Sequence, residues 1–194
     1  MKKFQIIAGL LSIVIVPVAM AESTGKSYVA LDLGSASYSG VTVPAGTYPN
    51  PGLASFAFGH HFSERVAAEV GITRFGDSTL IGSGSLSGSS ATTTASSLYA
   101  AAVGSIPLNS AFDLFGKLGI TYNKNSLEGS GTAAGLSNSA NHTGLMYGVG
   151  AQFHLNQDWD LHAQYENFGE FGNFGNTGSP MKASAITIGA AYNF

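Results

Sequence analysis

The chain has 194 residues, of which 10% are charged and 44% hydrophobic, with 26 Gly, 12 Phe, 8 Tyr, one Trp and no Cys. That length suits one domain. A charged fraction so far below the ~25% of an ordinary water-facing domain, beside too much apolar and aromatic content for disorder, points to a chain wetted by something other than water. The lack of cysteine excludes disulfide scaffolds, thiol nucleophiles and cysteine-based zinc sites. A formal net charge of −3 leaves no basic face to neutralise nucleic-acid phosphates.

The first 21 residues read as an export signal. Lys2 and Lys3 open it, residues 6–16 are uncharged and apolar, and Ala19-Met20-Ala21 is a small-x-small cleavage site. Pro17 closes the apolar run before the ~20 residues that a spanning helix needs. Two domains are therefore expected: a secretory signal at 1–21 and a body at 22–194. No later uncharged apolar stretch approaches helical spanning length, so the exported body is either soluble or a β-barrel.

The body alternates with period two, breaks, and alternates again. Short polar breaks fall at Ser63-Glu64-Arg65, Asn109-Ser110 and Asn156-Gln157-Asp158. Long Gly/Ser/Thr/Asn-rich stretches fall at 38–54, 76–95, 123–142 and 169–181. Strict alternation of short and long connections predicts eight antiparallel strands in an up-and-down transmembrane β-barrel, an all-β fold with short turns at one end and long loops at the other. A sandwich has no reason to sort its loops by length.

In the third predicted strand Val66, Ala68, Val70 and Ile72 alternate with Ala67, Glu69, Gly71 and Thr73. In the seventh, Trp159, Leu161, Ala163 and Tyr165 alternate with Asp160, His162, Gln164 and Glu166. A membrane barrel turns the apolar set outward and the polar set into the lumen. The fourth strand (97–105) is apolar on both parities, so pattern alone does not orient it. Phe112, Trp159, Tyr192 and the terminal Phe194 lie beside the short turns as an aromatic girdle, with Tyr122 and Phe168 toward the loops.

These segments resemble the OmpA-like eight-stranded outer-membrane barrel family: YVALDLG at 28–34, VAAEVGITRFG at 66–76, FGKLG at 115–119 and the hairpin at 147–169. The resemblance implies an outer-membrane location, a lumen closed by a charged network, and a terminal phenylalanine read by the barrel-assembly machinery. The soluble wall-binding domain of larger members has no counterpart here. By motif, Glu69 keeps a carboxylate and Lys117 replaces an arginine. Asp32 stands where the family has a lysine, and Gln152, His162 and Gln164 stand where it has ionised groups. Ala102 matches a further lysine position, so the network is thinned.

Asp32, Glu69, Lys117, Gln152, His162 and Gln164 are thus the expected lumen network. Its functional reading is a polar gate, and its bland reading a satisfied interior ion cluster. His60 and His61 point to opposite faces and cannot chelate together. His154 and His162 both face inward near Asp160, and His142 is expected to be solvated. Neither a metal site nor a cofactor is expected.

An enzyme editing lipid A would need a nucleophile or base, a histidine and an acidic orienter together on the outer wall. The outward sets hold no such trio, and His60, the one outward histidine, has no evident partner. The preferred function is a structural outer-membrane barrel with at most a narrow polar passage, in contact with lipid and lipopolysaccharide. The alternative is adhesion or surface recognition through the loops, with Phe168, Phe171 and Phe174 of the fourth loop as contact residues for a host or surface ligand.

Overall fold

A computed structural model describes residues 25–40, 50–81, 90–130, 137–172 and 180–194. The predicted leader and Phe174 lie outside these residues. The period-two segments form β1 (Ser27–Ser39), β2 (Gly52–Ser63), β3 (Val66–Phe75, continued by the short piece Ser78–Ile81), β4 (Ser90–Pro107), β5 (Phe112–Ser130), β6 (Ser137–His154), β7 (Trp159–Glu170) and β8 (Lys182–Asn193). Each strand pairs antiparallel with its chain neighbours. β1 also pairs with β8 (Tyr28 opposite Asn193), so the sheet closes on itself into the expected eight-stranded barrel. Closure satisfies every ladder without a free edge, which a β-structure in lipid requires.

The distribution of side chains is inverted relative to a water-soluble barrel. Leu145 and Ile188 are 70% and 69% exposed on the outer wall, while Glu69 and Glu166 are 3% and 1% exposed inside. Outward positions form a continuous aliphatic band, and inward positions are polar, small or aromatic. β4, which pattern left unoriented, turns Thr93, Ser97, Tyr99 and Ala101 inward and Leu98, Ala100 and Ala102 outward. Ala102 is therefore a wall position, and the lumen lysine of the resembled family has no counterpart there.

The short breaks are tight turns of a repeated design. Asn109 Oδ1 accepts the backbone N–H groups of Ala111 and Phe112, and Asn156 Oδ1 accepts those of Asp158 and Trp159. Each asparagine mimics a turn of backbone through its side chain. The long connections are shorter than predicted. β5 and β6 stay in register from Phe112 opposite Phe153 as far as Glu128 opposite Ser137, and β4 begins at Ser90. Ser, Thr and Asn were read there as loop, yet a partnered strand satisfies their backbone groups as well as water does.

β7 carries one extra residue near its loop end: Asn167 opposes Ser184, but Glu170 opposes Lys182. Gly169 takes the bulge, with φ of +71° and its N–H bonded to Asn167 Oδ1 at 2.9 Å. Phe168 keeps the inward parity of Gln164 and Glu166, and the shift in parity sends Phe171 inward too. Gly169→Val should oppose this backbone geometry at a cost of about 1–3 kcal/mol. The check is the temperature at which the folded band of a heat-dependent gel shift disappears. An unchanged midpoint would remove the bulge as the feature that sets the loop-end packing.

Candidate functional site

Two layers fill the barrel interior, and a cavity of about 1060 Å³ opens from them toward the short turns. Turn residues Glu64, Arg65 and Asn156 line its mouth, and Glu69, Lys117 and Gln164 lie at its inner end.

The first layer is ionic. Lys117 Nζ donates to Glu69 Oε1 at 2.7 Å and to Glu166 Oε1 at 3.4 Å, all three groups being buried. Glu69 also accepts the hydroxyls of Tyr28 at 2.6 Å and Tyr99 at 2.8 Å. These tyrosines reach Glu69 from β1 and β4 by lying across the sheet over Gly59 and Gly71. A methyl group at Gly71 would stand 2.6 Å from the Tyr99 ring, so the glycine is what lets the ring lie flat. A carboxylate holding one ammonium and two hydroxyl donors is well satisfied for a desolvated site.

Asp32 belongs to a separate cluster. His162 Nε2 meets Asp32 Oδ1 at 2.5 Å, and Gln164 Nε2 donates to the same oxygen at 3.3 Å. Within the expected lumen network the second carboxylate on Lys117 is Glu166, and the partner of Asp32 is His162. Gln152 is half-buried opposite His162 and lines the cavity. Nearer the turns, His154 bridges Asp160 at 2.6 Å and Asp113 at 3.5 Å, and Asn193 Nδ2 donates to Asp160 at 2.7 Å. Among the described residues no three His, Asp or Glu groups converge as a metal site.

The second layer is aromatic and sits toward the loops. Phe75 packs edge-on against both Phe168 and Phe171, with ring centroids 5.4 Å apart in each case, and all three are fully buried. Asn123 and Asn125 tie the end of β7 inward. Asn123 Nδ2 donates to the carbonyls of Phe168 and Glu170 at 2.7 and 2.8 Å, and Asn125 Nδ2 to that of Phe171 at 2.9 Å. The prediction that Phe168 and Phe171 face a ligand, and that Phe168 belongs to the outer girdle, is therefore corrected. Phe168 continues the inward parity of Gln164 and Glu166, and the bulge at Gly169 turns Phe171 into the lumen as well.

On the outer wall Phe112, Trp159, Tyr192 and Phe194 are exposed beside the turns, with the Trp159 and Tyr192 rings 5.1 Å apart. His60 is not without a partner there, since its Nδ1 lies 3.0 Å from Ser27 Oγ. His142, expected in solvent, stands half-exposed 3.7 Å from Glu170.

Residues 6–194 match the sequence profile described as the outer membrane protein beta-barrel domain, and the chain belongs to that family. It is an outer-membrane β-barrel. Among solved structures it is similar to Ail, the attachment invasion locus protein of Yersinia pestis, solved in complex with the heparin analogue sucrose octasulfate. Identity there is 20%, TM-score 0.60, with 88% of this chain and 99% of that one covered. Neisserial surface protein A gives 16% identity and a TM-score of 0.64 over 87% and 97% of the two chains. The N-terminal β-barrel domain of Pseudomonas aeruginosa OprF gives 10% and 0.56 over 88% and 99%. At these identities the likeness is one of fold. No curated protein sequence matches the chain.

Lys117→Met would leave Glu69 and Glu166 buried without their cation. Breaking a buried ion cluster from one side costs about 3 kcal/mol or more, so the variant should lose its folded gel band at a markedly lower temperature. Adding Glu69→Gln should restore part of the loss. A Lys117→Met barrel that melts like the wild type would show that the ionic layer does not hold the strands together.

Proposed function

We propose that this chain is a sealed structural barrel of the outer membrane, exported by a leader at 1–21 that is cleaved after Ala21, with the turns in the periplasm and the loops outside. The observation that carries this reading is the dead-ended lumen. The cavity entered from the turn end stops at Lys117 and Glu69, and Phe75, Phe168 and Phe171 fill the space beyond. Ions crossing this interior would have to displace a buried ion cluster and then an apolar layer, a two-stage barrier that a small local motion does not lift. Lipid and lipopolysaccharide surround the aliphatic band, and the terminal Phe194, exposed at the strand end, is the mark for the barrel-assembly machinery.

The reading includes no catalysis and no cofactor. Ser27 Oγ and His60 Nδ1 lie 3.0 Å apart on the outer wall near the short turns.

Adhesion through the loops is the second reading, favoured by one feature. β5 and β6 are 19 and 18 residues long, far beyond the 9–11 that cross a bilayer. Their far ends project past the hydrocarbon as a ribbon. Ail, of similar fold, is named for attachment and was solved with a heparin analogue, which supports a surface role without fixing a ligand.

In a planar bilayer the refolded chain should stay silent, while a Phe75→Ala, Phe168→Ala, Phe171→Ala variant that also carries Lys117→Gln should show discrete openings. Steady conductance from the wild type would overturn the sealed reading. Replacing 124–141 by a short turn should abolish binding to host cells or extracellular matrix if the ribbon is adhesive; undiminished binding would exclude it.

A further inference from the structure

The cavity at the turn end carries ionic groups that the lumen network does not use. Asp160 is filled, since His154 and Asn193 hold its two oxygens at 2.6 and 2.7 Å. Asp113, near the start of β5, has the His154 imidazole at 3.5 Å, and its second oxygen takes no partner among the described residues. Two carboxylates thus share one imidazole. Gln152, opposite Asp113 in the ladder, adds an amide to the same wall. Lys26 and Arg65 also line the cavity, and neither makes an ion pair among the described residues. The other charged lining groups are Glu64 on the rim and the paired Glu69 and Lys117 at the inner end. The mouth therefore offers an open carboxylate on one side and two open cations on the other.

The same wall contains Gly25, next to Lys26. A methyl group at Gly25 would overlap the His61 carbonyl oxygen, and the Lys26 carbonyl accepts the His61 N–H at 2.9 Å. The chain thus enters β1 pressed against β2, at the mouth of the cavity. With a leader removed after Ala21, Glu22-Ser23-Thr24 precede Gly25. Cleavage gives Glu22 a free α-ammonium that the uncleaved chain lacks. Extended, three residues reach about 10 Å. β5 stands across the closed sheet from β1, four strands away in either direction. The interior of an eight-stranded barrel is only wide enough for side chains to fill, so that reach suffices to bring the ammonium to the inward Asp113 carboxylate.

We propose that the turn-end cavity binds the chain's own mature N-terminus, with the α-ammonium of Glu22 on Asp113 and the Glu22 side-chain carboxylate against Arg65 and Lys26. The proposal rests on the reading that the leader is cleaved after Ala21. The tail is favoured over a free ligand because it is tethered at the mouth, where a short flexible link gives about millimolar effective concentration. It also bears both signs of charge, as the mouth does. Docking waits for cleavage, since a peptide bond to Ala21 leaves no ammonium to bind. Processing then closes the wet end of a barrel whose other end is sealed by Phe75, Phe168 and Phe171.

The test uses the chain extracted from outer membranes in mild detergent, its folding checked by the gel shift and its first residue by intact mass. At neutral pH an amine-acylating reagent labels α-amines ahead of lysines, because more of them are unprotonated. Pairing with a carboxylate keeps the ammonium protonated and unreactive. Labelling of Glu22, read on the N-terminal peptide, should be about tenfold slower in the folded wild type than in the chain unfolded in urea at the same temperature. Asp113→Asn should restore most of the unfolded rate, and Arg65→Gln part of it. Asp77→Asn, at the loop end, should leave labelling slow. A folded wild type that labels at the unfolded rate would overturn the proposal. So would a folded Asp113→Asn barrel that labels as slowly as the wild type. A folded chain whose mass does not begin at Glu22 would instead overturn the leader reading, and the proposal with it.

Discussion

One buried ammonium sets the terms for the interior. Lys117 is buried at the inner end of the cavity, where desolvation makes an unpaired ammonium costly, so carboxylates must surround it, and these in turn need further donors. Glu69 finds them in Tyr28 and Tyr99. The Tyr28 ring crosses β2 over Gly59 to arrive, the Tyr99 ring lies over Gly71 of the strand that carries Glu69, and each has room because the residue beneath it is glycine. One charge thus dictates two carboxylates, two aromatic residues and two glycines on five strands. A charged network of this kind is costly when partly satisfied and specifying when complete.

Along the barrel axis the interior changes from wet to dry. Asp113, His154, Asp160 and Asn193 ring the turn end, where water replaces any partner lost. The ionic layer follows, and then three phenylalanines that exclude water altogether. This order leaves the Lys117 layer sealed on its loop side by apolar packing, which strengthens its electrostatics by removing solvent from one face. The amide ties from Asn123 and Asn125 to the β7 carbonyls hold that seal, so the aromatic layer depends on side chains of β5 as much as on its own rings.

Much of this was legible in the sequence. Strand parity, eight strands, and the split between short and long connections all follow from side-chain alternation, which closure of the sheet preserves residue by residue. Asp32, Glu69, Lys117, His162 and Gln164 lie on the inward parity, where charge or amide on one face of an otherwise apolar strand is readable from alternation. Their pairings were not legible, because which carboxylate meets Lys117 depends on barrel shear rather than on spacing in the chain. Glu166 stood on the right parity, but nothing in its spacing marks it as the second partner of Lys117. Tyr28 and Tyr99 look like ordinary aromatics until the register places Gly59 and Gly71 under them. In the aromatic seal Phe168 shares the inward parity of Gln164 and Glu166, while at Phe171 one bulge residue after Phe168 reverses the parity that alternation extrapolates, and a positive-φ glycine at a strand end does not announce which way the chain continues.

The low charge of the chain and the placement of its few ionised groups have a common cause. A wall bathed in hydrocarbon tolerates no ion, and a narrow lumen tolerates only ions that are matched. Inside, Lys117 answers Glu69 and Glu166, and His162 meets Asp32. Outside, the charges retreat to the two rims: Lys26, Glu64 and Arg65 at the turns, and Arg74, Asp77, Lys124, Glu128, Glu170 and Lys182 at the loop border. Acids and bases mix at both, and at the loop border Lys182 pairs with Glu170. Charge at both rims keeps the barrel from sliding along the membrane normal, because movement either way would drag ionised side chains into hydrocarbon.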